Sequence, residues 1–215
     1  FVLLVTLDFS DNDLKTVDLS KNIALKTLDC SNNALPGIDL KTNVQLENLN
    51  CSNNKYLDPN NSANNYSFNQ LDLANNTSLI TLDCSMNKIE VLDLKLNTSL
   101  STLDCSTNKI GALDLSLNTA LTSLECQNNI VLGFLNIKNG ANTALATFNA
   151  EGNVDLYCIQ VDNVATATAA GNWKKEVTAS YNINCGTYVP DNNFEQELIK
   201  QGIDTDGVVN NFVAT

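Results

Sequence analysis

Apolar side chains return along most of this chain in one fixed order. Leu79, Leu82, Cys84, Ile89, Leu92 and Leu94 are followed, 21 residues on, by Leu100, Leu103, Cys105, Ile110, Leu113 and Leu115. Within each unit two short stretches alternate apolar and polar: Leu82-Asp83-Cys84-Ser85 and Leu92-Asp93-Leu94-Lys95. Alternation of this kind marks a half-buried strand. Each unit therefore predicts two strands, joined by turns that contain Asn87 and Asn97. So short a coil cannot enclose its own apolar side. Stacked coils share one interior, and each strand becomes a rung of a parallel sheet. The pattern predicts a mainly β solenoid with two short parallel sheets along the stack. Inward Asn amides would bond the backbone groups that tight turns leave unpaired.

The same spacing can be followed from the start. Leu4, Leu7, Phe9 and Asn12 open the first unit, and Leu25, Leu28, Cys30 and Asn33 open the second. Leu46, Leu49, Cys51 and Asn54 open a third, which a polar stretch at 55–67 interrupts before Phe68, Leu71, Leu73 and Asn76 resume it. After the two copies described above come Leu121, Leu124, Cys126 and Asn129, and then the degenerate set Leu145, Phe148, Ala150 and Asn153. About seven units thus fill residues 1–155, with an insertion at 55–67. The periodicity changes at Leu156. Residues 156–186 hold a strand-like LYCIQVDN, an Ala- and Thr-rich stretch, Trp173 and Tyr181, and are expected to cap the open end of the stack. Beyond Gly186 a helix is expected at about 191–201, with Asp191 as N-cap, Phe194, Leu198 and Ile199 as its apolar stripe, and Gly202 as its stop. The DTDG that follows, Asp204 to Gly207, reads as a plain turn.

Charge and cysteine usage narrow the class. With 24 acids, 12 bases and no His, the net charge is −12. That disfavours nucleic acid and anionic membrane as partners, and no nucleic-acid partner is expected. No apolar run is long enough to span a bilayer, so membrane insertion is not expected. The start already fits the repeat, so the chain is expected to begin inside a solenoid, as a piece of a longer protein. Of seven Cys, five (Cys30, Cys51, Cys84, Cys105, Cys126) hold one repeat position, where Phe9 and Ala150 also stand. Interchange with Phe and Ala marks an apolar filler, so buried free thiols are expected there rather than a disulfide or metal ladder. Cys158 and Cys185 lie outside the repeat and read as a disulfide pair, which implies an oxidising compartment.

Taken together, the repeats resemble the leucine-rich-repeat superfamily, in its short 21-residue irregular class with two strand segments per unit. The LDCSxN wording, the CIQVDN segment with Trp173 and Cys185, and VPDNNFEQELI look like secreted surface leucine-rich-repeat proteins of Gram-negative bacteria. In those proteins a VPDNNFEQELI-like segment precedes a repeat block. The resemblance therefore implies that 187–215 starts a following repeat block, and that the chain is secreted or on the cell surface and acts in binding or adhesion.

Candidate chemistry sits on the outward positions of the first sheet. Thr27, Asp29 and Ser31, then Thr81, Asp83 and Ser85, then Thr102, Asp104 and Ser106, with Glu125 beyond, should form columns. Asp18, Asp39, Asp72, Asp93 and Asp114 should line the second sheet. Such a face suits a protein or a polysaccharide. Tyr56 and Tyr66, in the inserted loop, are candidate contacts for the same partner. Paired carboxylates also serve glycoside hydrolysis, but these are identical, repeated and on an open surface. No unique pair, phosphate loop, nucleophile elbow or metal-ligand motif is present. The expected protein is not an enzyme and needs no cofactor or metal. It is a binding module, or else a structural spacer in a long surface protein.

Overall fold

The computed structural model describes residues 3–54, 68–189, 191–205, 207–209 and 212–213. Within them the chain is a mainly β parallel solenoid. One face is an eight-stranded sheet of β1 (Thr6–Asp8), β2 (Thr27–Asp29), β3 (Asn48–Asn50), β4 (Thr81–Asp83), β5 (Thr102–Asp104), β7 (Ser123–Glu125), β9 (Thr147–Ala150) and β11 (Trp173–Lys175), in that order. The other face is a four-stranded sheet of β6 (Ala112–Asp114), β8 (Phe134–Asn136), β10 (Cys158–Gln160) and β12 (Ser180–Asn182). Every pairing in both sheets is parallel and in repeat register.

Register explains the interior. Leu7, Leu28, Leu49, Leu82, Leu103 and Leu124 stand directly above one another as the central inward residue of their strands. From Leu28 onward they are buried with Leu25, Leu46, Leu79, Leu100 and Leu121. All five repeat cysteines are buried free thiols in the same core. The Sγ–H of Cys30 donates to the Asn50 carbonyl on the next rung, and that of Cys126 to the Asn149 carbonyl.

Two asparagine ladders hold the turns. In the first, Asn108 donates Nδ2 protons to the Cys84 and Cys105 carbonyls, while its Oδ1 accepts the Ile89 N–H at 2.9 Å. Asn33, Asn54 and Asn129 repeat the arrangement. In the second, Asn43, Asn76, Asn97 and Asn118 each donate to two carbonyls of the preceding coil. The inserted stretch leaves the stack intact. The Phe68 N–H donates to the Asn54 carbonyl, and Phe68 returns to the core fully buried.

The structure refines three local expectations. The second sheet does not run the length of the stack. Among the described residues upstream of β6, its place is held by extended segments joined by one bridge, Gly37 to Gln70. Those segments carry Asp39, Asp72 and Asp93 where the ladder strands carry Asn136, Gln160 and Asn182 beside Asp114. An amide can bond across rungs, as Asn136 does to Asp114, whereas like charges set opposite each other repel. Second, residues 156–186 are built as further rungs, with β10, β11 and β12 extending both sheets. Trp173 stands in register with Phe148, and Tyr181 with Ile159, so aromatic rings end both inward columns. The Trp173 ring lies 5.0 Å from Phe148 and 5.9 Å from Tyr181. A short helix α1 (Val164–Ala169), capped by Asn163, links β10 to β11. Third, helix α2 (Asn192–Lys200) forms with the expected Asp191 N-cap, but its buried face is rotated. Phe194 is exposed and Glu195 is buried, beside half-buried Leu198 and Ile199. The chain turns back through Gly202 and pairs β13 (Thr187–Tyr188) with β14 (Phe212–Val213), which rests on the helix.

One turn position has left-handed backbone on successive coils: Asp11, Asn32, Asn53, Met86, Thr107, Asn128 and Gly152. Asn, Asp and Gly tolerate that conformation, and a β-branched residue does not. Thr107→Asn should therefore raise stability by about 1 kcal/mol, read as a higher unfolding midpoint with an unchanged slope. Gly152→Ala should lower it, because a φ of 73° is strained for a residue with a Cβ, and the added carbon would also crowd Asn128.

Candidate binding face

The outer face of the eight-stranded sheet is assembled by register alone. Thr6, Thr27, Asn48, Thr81, Thr102, Ser123 and Thr147 form one column. Asp8, Asp29, Asn50, Asp83, Asp104, Glu125 and Asn149 form a second. From β2 to β7 the members of both columns are half-buried. Of the expected face residues, Thr27, Asp29, Thr81, Asp83, Thr102, Asp104 and Glu125 stand where the sequence puts them.

The serines do not. Ser31, Ser85 and Ser106 are buried, at 4%, 7% and 6% exposure. Each closes a local turn under the face. Ser31 donates both its N–H and its hydroxyl to Asp29 Oδ1, at 2.9 and 2.6 Å. The Ser85 and Ser106 N–H groups donate to Oδ1 of Asp83 and Asp104. The serines therefore orient the acids from beneath the face. The signal was available, since Ser two residues after Asp suits a side-chain turn. Tyr56 and Tyr66 lie outside the described residues.

One carboxylate oxygen of each aspartate is thus committed to its own coil. The second oxygen of Asp29 accepts from Asn50 Nδ2 at 3.0 Å. Asp83, Asp104 and Glu125 follow on adjacent rungs, about 4.8 Å apart. Among the described residues none of the three forms an ion pair. Burial pushes the Asp83 carboxyl above the usual range; the Ser85 bonds oppose it, and neighbouring Asp104 and Asp29 add to it. Among the described residues, no group of three or more His, Cys, Asp or Glu is placed to hold a metal ion.

The repeat is now complete in three dimensions: stacked leucines on parallel rungs, an Asn at each turn, and one left-handed turn residue per coil. The chain has a leucine-rich-repeat-like solenoid fold. No family model matches this leucine-rich-repeat chain, and no curated protein does. Among solved structures it is similar to the functional domain of InlJ from Listeria monocytogenes, which includes a cysteine ladder. The identity is 32%, over 73% of this chain and 44% of that one, with a TM-score of 0.46. The leucine-rich-repeat chain therefore spans less than half the length of that structure. The leucine-rich-repeat fold is read from its own rungs, and not from that superposition.

The thiol column of this leucine-rich-repeat core has a pH signature. Burial pushes all five thiols up, Cys30 to about 12. Unfolded thiols ionise near pH 8.5, so above about that pH the unfolded chain sheds protons that the folded chain keeps. The thiol contribution is full below about pH 8.5 and falls as pH rises, by up to about 1.4 kcal/mol per thiol per pH unit. Thermal melts across that alkaline range should show the decline. Cys51→Ala should make it shallower.

Proposed function

We propose that this chain is an extracellular, non-catalytic binding module. Its partner is a protein that lays an extended, Lys- or Arg-bearing segment across the outer face of the eight-stranded sheet. The observation that carries this reading is the run Asp83, Asp104 and Glu125. These carboxylates are held in line by the backbone and meet no base among the described residues. A basic side chain on every second residue of an extended partner would meet such a run with charge-assisted hydrogen bonds. The net charge of −12 steers a basic partner toward the same face. The Cys158–Cys185 disulfide supports an oxidising, extracellular setting. Among the described residues no helix is long and apolar enough to cross a membrane.

The test is a screen of the purified chain against extracellular-protein and glycan arrays, repeated with Asp83→Asn/Asp104→Asn. A protein hit that weakens with salt, and by at least about tenfold in the double variant, is expected, because a hydrogen bond to a charged group is worth about 1.5–3 kcal/mol. A glycan hit insensitive to salt would replace the protein reading. Silence on both arrays would leave the chain a spacer.

A further inference from the structure

The two asparagine ladders differ in one respect. In the first, Oδ1 accepts a backbone N–H from the preceding coil. In the second, Oδ1 of Asn43, Asn76, Asn97 and Asn118 is buried and has no hydrogen-bond partner among the described residues. The four residues are fully buried and hold the same place on successive coils. Their amides cannot be reversed. Each Nδ2 faces two carbonyls of the coil before, Leu73 and Asn76 in the case of Asn97, so a reversed amide would set oxygen against oxygen. Two of the neighbouring turn donors are also spent. The Asn97 and Leu100 N–H groups donate to Leu94 and Asn97, and the other coils repeat this.

We infer that this column binds a single file of internal water molecules, one between each pair of adjacent coils. Acceptors with no donor call for a ligand that brings two protons, and water does. Two hydrogen bonds of about 2.8 Å at a tetrahedral angle span about 4.6 Å, close to the rung spacing of about 4.8 Å. One water can therefore donate to the Oδ1 atoms of Asn43 and Asn76, a second to those of Asn76 and Asn97, and a third to those of Asn97 and Asn118. Buried polar groups left over by the fold are the ordinary hosts of internal water. The second ladder would then be continuous, with water in the role that backbone N–H groups play in the first.

A crystal structure at atomic resolution tests this directly. Three density peaks, each within hydrogen-bond distance of two successive Oδ1 atoms, are expected. Oxygens in contact only with carbon, or reversed amides, would overturn the inference. So would a peak that gains anomalous signal in rubidium chloride, since that marks a cation. In solution, magnetic relaxation dispersion of the full chain counts long-lived waters. Asn97→Leu should remove two of them, and an unchanged count in a folded variant would also overturn it. If that variant does not fold, the wild-type crystal decides alone.

Discussion

Asn108→Ala should destabilise its part of the stack by about 2–4 kcal/mol. The side chain satisfies the Cys84 and Cys105 carbonyls and the Ile89 N–H, all inside the core. Alanine leaves the Ile89 N–H without a partner, at about 1–3 kcal/mol, and takes one donor each from the Cys84 and Cys105 carbonyls, which keep Asn87 and Asn129, at about 0.5 kcal/mol each. Propensity is a minor consideration here, because the residue acts through backbone groups of two coils at once. Denaturant unfolding monitored by hydrogen exchange at Ile89 should show the loss. The matched control is Asn12→Ala in the first coil. Asn12 makes comparable bonds to Phe9 and Ser10 but is exposed, so water replaces them and the change should stay within about 0.5 kcal/mol. Equal costs at the two positions would mean that the ladder does not act through burial.

Reducing or deleting the Cys158–Cys185 bridge should cost about 3.5 kcal/mol. It joins residues 27 apart in sequence, and a loop of that size confers about that much in the chain-entropy account. The bridge encloses α1, β11 and β12, the last rungs of both sheets. Cys158→Ser/Cys185→Ser should therefore lower the melting temperature and expose Trp173 first, seen as a red shift in the emission of the single tryptophan. A melt that falls without an early Trp173 transition would show that the terminal rungs unfold with the rest.

These two features differ in how openly the sequence declares them. The rungs were legible because Leu, Leu and Cys return at fixed intervals, and a parallel stack turns interval directly into register. The asparagines were legible for the same reason. The serines were legible only through their Asp-x-Ser spacing, which runs against the alternation. Ser31, Ser85 and Ser106 occupy a position that alternation marks as outward, yet the left-handed residue after each one turns the chain and draws them under the aspartates. The place of Trp173 was hidden because β11 lacks the leucine spacing. Only pairing with β9 shows that it ends the column begun by Leu7. Helix α1 escaped because VATATA has too few turns to show a period. The rotated face of α2 accompanies β14, which packs on the helix from about a dozen residues downstream.

In-register rungs also set how this chain would bear load. Tension along the stack falls on one rung-to-rung contact at a time, end on, so coils would peel off in succession rather than shear together. Tension across the stack loads each coil along its own backbone and meets the leucine interior of every layer at once. Such a molecule would yield gradually when drawn out lengthwise and stand stiff when pulled from the side.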